Sequence, residues 1–243
     1  AYLNQLDMLP LKQLEDIFTL SQFVDWPNAS GLNTLKDKSA TQAIPEFICQ
    51  SSIPETDDYY EQIIFKQKVV PTRPNSWHDL FNGLIWLQFP KTKQLLNQLH
   101  VQDIQQYGLS PRTKRRNNLT HFDECGVILT YETGQTIGAD LIQMLAEHEW
   151  QSAFVSHRQA WGKELNYFMF GHANLEMLLK PFIGLTGKWL AVEVEKGFSQ
   201  LAYSQQVSEV DKKLQQLITE QDTFSQTKPL KPLPLLGLPQ VWQ

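Results

Sequence analysis

Cysteine is nearly absent: Cys49 and Cys125 are the only two in 243 residues, and neither sits in a redox motif. Two thiols cannot supply a disulfide framework or a structural zinc site, and they suit a reducing compartment. No apolar run approaches the roughly 20 residues that span a bilayer, and Ala1 to Leu20 lacks the basic region and unbroken apolar stretch of a signal peptide. The expectation is a cytoplasmic protein without a membrane partner. Also missing are Gly-x-Gly-x-x-Gly, the Gly-x-x-x-x-Gly-Lys-Ser/Thr phosphate loop, the Gly-x-Ser-x-Gly elbow and the two-histidine zinc-peptidase pattern. Nucleotide-dependent and serine-hydrolase chemistry thereby lose most of their support.

An excess of positive charge is lacking too. Against 26 Asp and Glu stand 21 Lys and Arg, for a net charge of −5. The molecule as a whole repels polyanions, and nucleic-acid binding would need a local basic patch. One exists, Arg112, Lys114, Arg115 and Arg116. Such a run is more often a solvated face, so a nucleic-acid role ranks last.

What is present is a globular composition, 42% hydrophobic and 19% charged, with 7 Trp and 13 Phe to fill a core. The length suits one domain spanning 1–243. Leu3 to Leu20 predicts a helix interrupted at Pro10, and 25–40 a loop. Tyr60 to Val70 predicts a strand whose first half could be helical. Ser76 is an N-cap candidate for a helix carrying Trp77, Leu80, Phe81, Leu84 and Leu87, followed by a second helix from Lys91 to about His100. Strands are expected at 127–131 and 188–194, and helices at 139–154 and 207–218; 166–170 reads as a strand followed by a helix at 172–180, with a helix over the whole stretch nearly as well supported. The proline-rich segment 228–243 is expected to run extended across the surface. Together these give an α+β class: a mostly helical single domain with a small β-sheet.

The candidate chemistry lies in three places. Asn82 is three residues from Asp79 and four from His78 on one predicted helix, so the three share adjoining faces. An imidazole and a carboxylate can ligate a divalent metal together or move protons. His172 and Glu176 repeat the four-residue spacing at a second helix start. Arg112 to Arg116 is followed by Asp123 and Glu124, where guanidinium groups could hold an anion and the carboxylates act as oxygen ligands or a base. The bland alternatives are a capped helix, a local ion pair and a solvated basic face.

The segments Val70-Pro71-Thr72-Arg73, Ser76 to Asn82, Phe89-Pro90-Lys91, Leu119 to Gly126, Phe170 to Glu176 and Pro232 to Pro239 are together similar to the proteobacterial proteins grouped as domain of unknown function 3025. The resemblance spans about residues 58 to 239 and departs from that family's pattern at Gln240. It implies no activity.

Two functions follow as expectations. The first is a metal-dependent or acid-base hydrolase acting on a small anionic or phosphorylated molecule. Its catalytic groups would be His78, Asp79, Asp123, His172 and Glu176; a divalent metal, the candidate cofactor, would sit on His78, Asp79, His172 and Glu176; Arg73, Asn82 and Arg115 would bind substrate. The second is a noncatalytic interaction module whose His, Asp and Glu residues form a structural polar network. Convergence of Arg73, His78, Asp123 and His172 on one cleft would separate them. Oligomeric state is left open.

Overall fold

The structure, a computed structural model, describes residues 9–38 and 44–241. It is a mostly helical α+β fold around a small mixed sheet. The expected turns around Leu3 and Leu6 lie outside the described residues. Helix α1, Leu9–Phe18, has Pro10 in its first turn, where a missing N–H costs nothing. The segment expected to be a loop contains α2, Ala29–Lys38, whose Leu32 and Leu35 are buried. Asn28 explains the helix: its Oδ1 accepts from the Ser30 and Gly31 amides and satisfies donors at the helix start.

A short strand β1, Glu46–Cys49, pairs in parallel with β2, Val69–Thr72. Between them lies α3, Tyr60–Gln67. Most of the stretch expected as strand is therefore helical. Lys68, at φ 58°, ends the helix in the left-handed region and turns the chain into β2.

Helix α4, Trp77–Gln88, starts as expected: Ser76 Oγ accepts from the Asp79 amide at 3.2 Å. It is buried from Asp79 to Gln88, with Phe81, Leu84 and Ile85 fully enclosed. Burying each such side chain contributes about 1.5–3 kcal/mol. Helix α5, Pro90–Tyr107, is longer than expected and receives a cap from far along the chain. Asp211 accepts from the amides of Lys91 and Thr92 at 3.0 and 2.8 Å.

Helix α6, Lys114–Cys125, converts the basic stretch into regular structure. It leads directly into β3, Gly126–Glu132, and α7, Thr136–Ala146, follows. Helix α7 stops short of the expected 154, and a separate turn occupies Ser152–Ser156. Strand β4, Asn166–Met169, helix α8, His172–Leu178, strand β5, Thr186–Val194, and helix α9, Tyr203–Gln221, come next. The proline-rich tail supplies β6, Lys231–Pro234, antiparallel to β5. Leu233, Leu235 and Leu238 are fully buried, so apolar burial fixes this edge strand where proline removes hydrogen-bond donors.

The sheet order is β4-β3-β5-β6, with β3 and β5 parallel and the other pairs antiparallel. Central β3 is buried from Gly126 to Thr130, which accounts for its unbroken Val-Ile-Leu run. No described helix is long and apolar enough to cross a membrane.

Candidate functional site

The first turns of α4 and α8 meet the last turn of α6. What brings them so close is Gly171. A Cβ there would lie 2.5 Å from the backbone of Glu124, Cys125 and Gly126, so only glycine allows this approach. The amides of Phe170 and Gly171 both donate to Gly126 O, at 3.0 and 2.8 Å, and Asn174 Nδ2 donates to Cys125 O at 3.0 Å. His172 thereby lands beside Glu124.

His78 Nε2 and His172 Nε2 are 3.1 Å apart. Glu124 Oε2 lies 3.4 Å from His172 Nε2 and 3.9 Å from His78 Nε2. A point equidistant from these three atoms is about 2.0 Å from each, which is the bond length of zinc to imidazole nitrogen or carboxylate oxygen. Among the described residues this is the group of His, Cys, Asp and Glu whose donor atoms converge closely enough to hold an ion.

The surrounding groups orient these donors. Glu176 Oε2 accepts from His78 Nδ1 at 3.1 Å, leaving the Nε2 lone pair of His78 for the centre. His172 is 4% exposed, and burial pushes it down to about 3, so its imidazole is neutral. Its Nδ1 meets no side-chain hydrogen-bond partner and faces Asp123, with Oδ2 at 4.0 Å. Glu124 is pushed up by burial and by the charge of Asp123.

A cavity of about 330 Å³ opens beside the triad. Arg73, His78, Asp123 and His172, which the sequence left in separate segments, all line it, and so do Asp79, Asn82 and Glu124. Three of the expected site residues make other contacts in the structure. Asp79 does not join the donor triad: Arg73 takes its carboxylate from Nη2 at 2.7 Å, from Nε at 3.0 Å and from its backbone amide at 2.6 Å. Burial opposes ionisation of Asp79, but the Arg73 contacts outweigh it and hold the carboxyl below its ordinary range. Glu176 stands behind His78 rather than at the centre. Arg115 is outside the cavity lining, paired with Asp103 at 3.1 Å.

Arg116 and Arg112 of the basic run are also engaged. Arg116 is 1% exposed, donates to Gly108 O and Leu109 O, and lies over the Tyr59 ring. Arg112 bonds Thr120 Oγ1.

His100 also lines the cavity, and Lys93 and Asn97 stand behind it; none of the three was expected from the sequence. Lys93, Asn97 and His100 lie four and three apart on α5, a polar stripe on an otherwise apolar helix face and the one signal that could have found them. Lys93 Nζ is 2.5 Å from Asp123 Oδ1 and 2.9 Å from Asn82 Oδ1. Burial would raise Asp123, but Lys93 outweighs it and keeps the carboxyl low. Asn97 donates to Glu61, whose carboxyl burial and Asp123 push up to about 7. His100, 4% exposed with an unpartnered Nδ1, is lowered to about 4 by burial.

No curated protein and no solved structure matches the chain. The family described as protein of unknown function (DUF3025) matches residues 45–243, and the chain belongs to that family.

Proposed function

We propose that this protein is a metal-dependent hydrolase in which His78, Glu124 and His172 hold a divalent ion of the zinc class. The adjoining cavity would take a small anionic or phosphorylated substrate. The observation that carries the proposal is the donor triangle, with edges of 3.1, 3.4 and 3.9 Å, beside a 330 Å³ cavity. Three protein ligands leave a fourth position for water or substrate, the arrangement of catalytic rather than structural zinc. A bound ion there would lower the pKa of a coordinated water to about 7.

A cation at the centre would also set the tautomer of His172. It would take both Nε2 lone pairs, and His172 would then carry its proton on Nδ1, toward Asp123. Arg73 keeps 57% of its side chain exposed at the cavity while bound to Asp79, so it can meet an anion from solvent. The packed-network alternative expects filled space and enclosed donors. The side chains of His78 and Glu176 are instead 32% and 44% exposed.

The test is hydrolysis of p-nitrophenyl phosphate and p-nitrophenyl acetate by protein stripped with chelator, then reloaded with zinc or manganese. Turnover should return with metal and be absent from Glu124→Gln. Turnover that survives stripping, or a metal-loaded protein that cleaves neither ester, contradicts the proposal. Iron in the protein as purified would redirect the two-histidine, one-carboxylate set to oxygen chemistry.

A further inference from the structure

A hydrogen-bond chain starts behind the cavity at Lys93, which fixes its direction, and reaches the wall at Asp123, Asn82 and Tyr60. Lys93 is 4% exposed and its ammonium can only donate; it does so to Asp123 Oδ1 and to Asn82 Oδ1. With its oxygen committed to Lys93, Asn82 must turn its amide nitrogen the other way, and Nδ2 donates to Tyr60 Oη at 3.0 Å. The phenol oxygen is therefore an acceptor in this chain, and its own proton is left to go elsewhere. Among the described residues none accepts it. Tyr60 lines the same cavity as His78, Glu124 and His172.

We propose that Tyr60 donates this hydrogen bond to an oxygen of the bound substrate, a phosphoryl oxygen or one that gathers negative charge in the same way. Lys93 and Asn82 are the positioning residues that keep the donor aimed into the cavity. The inference rests on the metal centre proposed above, because that centre places the substrate. Burial and the neighbouring charges of Glu61 and Asp123 raise the phenol well above its ordinary pKa, so it stays protonated and remains a donor. A preset donor of this kind costs no reorganisation when charge develops.

The experiment uses the full chain, with zinc content measured first and inorganic phosphate as the probe, titrated calorimetrically. Tyr60→Phe should keep one zinc per chain and bind phosphate about tenfold more weakly, the effect of one lost hydrogen bond. Asn82→Asp tests the direction of the chain. A carboxylate there can only accept, so the Tyr60 proton would turn toward it and away from the cavity. The added charge acts whether or not the hydroxyl is present, so the decisive quantity is the coupling. Asn82→Asp should weaken phosphate binding more when Tyr60 is intact than in the Tyr60→Phe protein. Equal phosphate affinity of wild type and Tyr60→Phe at full zinc occupancy overturns the inference and leaves the metal centre standing. So does an Asn82→Asp effect that is the same in both backgrounds. Failure of the wild-type protein to bind zinc overturns the metal centre, and this inference with it.

Discussion

Replacing Glu61 by Gln should change how stability depends on pH. Within the fold, burial and the charge of Asp123 raise this carboxyl from 4.5 to about 7, against the opposing hydrogen bond from Asn97. Between those values the folded chain keeps a proton that the unfolded chain has lost. Stability therefore falls as pH rises through the window, and no more is lost above about 7. The shift corresponds to about 3 kcal/mol at most.

His100 acts in the opposite sense. Burial lowers it from 6.5 to about 4, so the folded chain binds fewer protons and stability rises with pH across that interval. In wild type the two contributions largely offset each other where they overlap. Glutamine keeps a carbonyl to accept from Asn97 and has no proton to lose. The two proteins should differ little at pH 4.5, and the variant should be up to about 3 kcal/mol more stable at pH 8. Urea unfolding followed by tryptophan fluorescence, in chelator-containing buffers across that range, measures the difference. A difference that does not vary with pH would refute the assignment of a raised pKa to Glu61.

Other expectations follow from single contacts. Gly171→Ala forces a methyl against three backbone atoms at 2.5 Å; it should cost about 3 kcal/mol in denaturant unfolding and weaken zinc binding by separating His172 from Glu124. Glu176→Ala removes the acceptor of His78 Nδ1. Calorimetry should still find one zinc site, about 10–100-fold weaker. Asp79→Ala releases Arg73 and its backbone amide; it should destabilise the fold by about 1–3 kcal/mol while leaving zinc affinity within a few-fold. Loss of the zinc site on Asp79→Ala would return Asp79 to the ligand set.

The parts of this site legible in sequence were those with local signatures. Ser76 and Asp79 announced the start of α4, and the spacing of His172 and Glu176 marked the first turn of α8. The contacts joining them are not local. His78 meets Glu176 across 98 positions and His172 across 94, and no periodicity encodes such a pairing. Glu124 read only as a companion of Asp123. One step along α6 sends the two carboxylates in different directions, toward the histidines and toward Lys93 respectively. Tyr60 and Glu61 were hidden by a mistaken period. Ile63, Ile64, Phe65, Val69 and Val70 resemble one strand, whereas Lys68 in the left-handed region divides them between α3 and β2. The contacts of Arg115 with Asp103 and of Arg116 with the Gly108 and Leu109 carbonyls have no signature in the basic run itself.

The central claim, that His78, Glu124 and His172 form one metal centre, is tested most directly by titrating zinc into tag-free, chelator-stripped protein. Wild type is compared with His78→Ala, Glu124→Ala and His172→Ala, each first shown to be folded by circular dichroism. The account predicts one zinc per wild-type chain and loss of that site in every variant. Absence of binding to wild type, or retention of full affinity by any of the three variants, would contradict it.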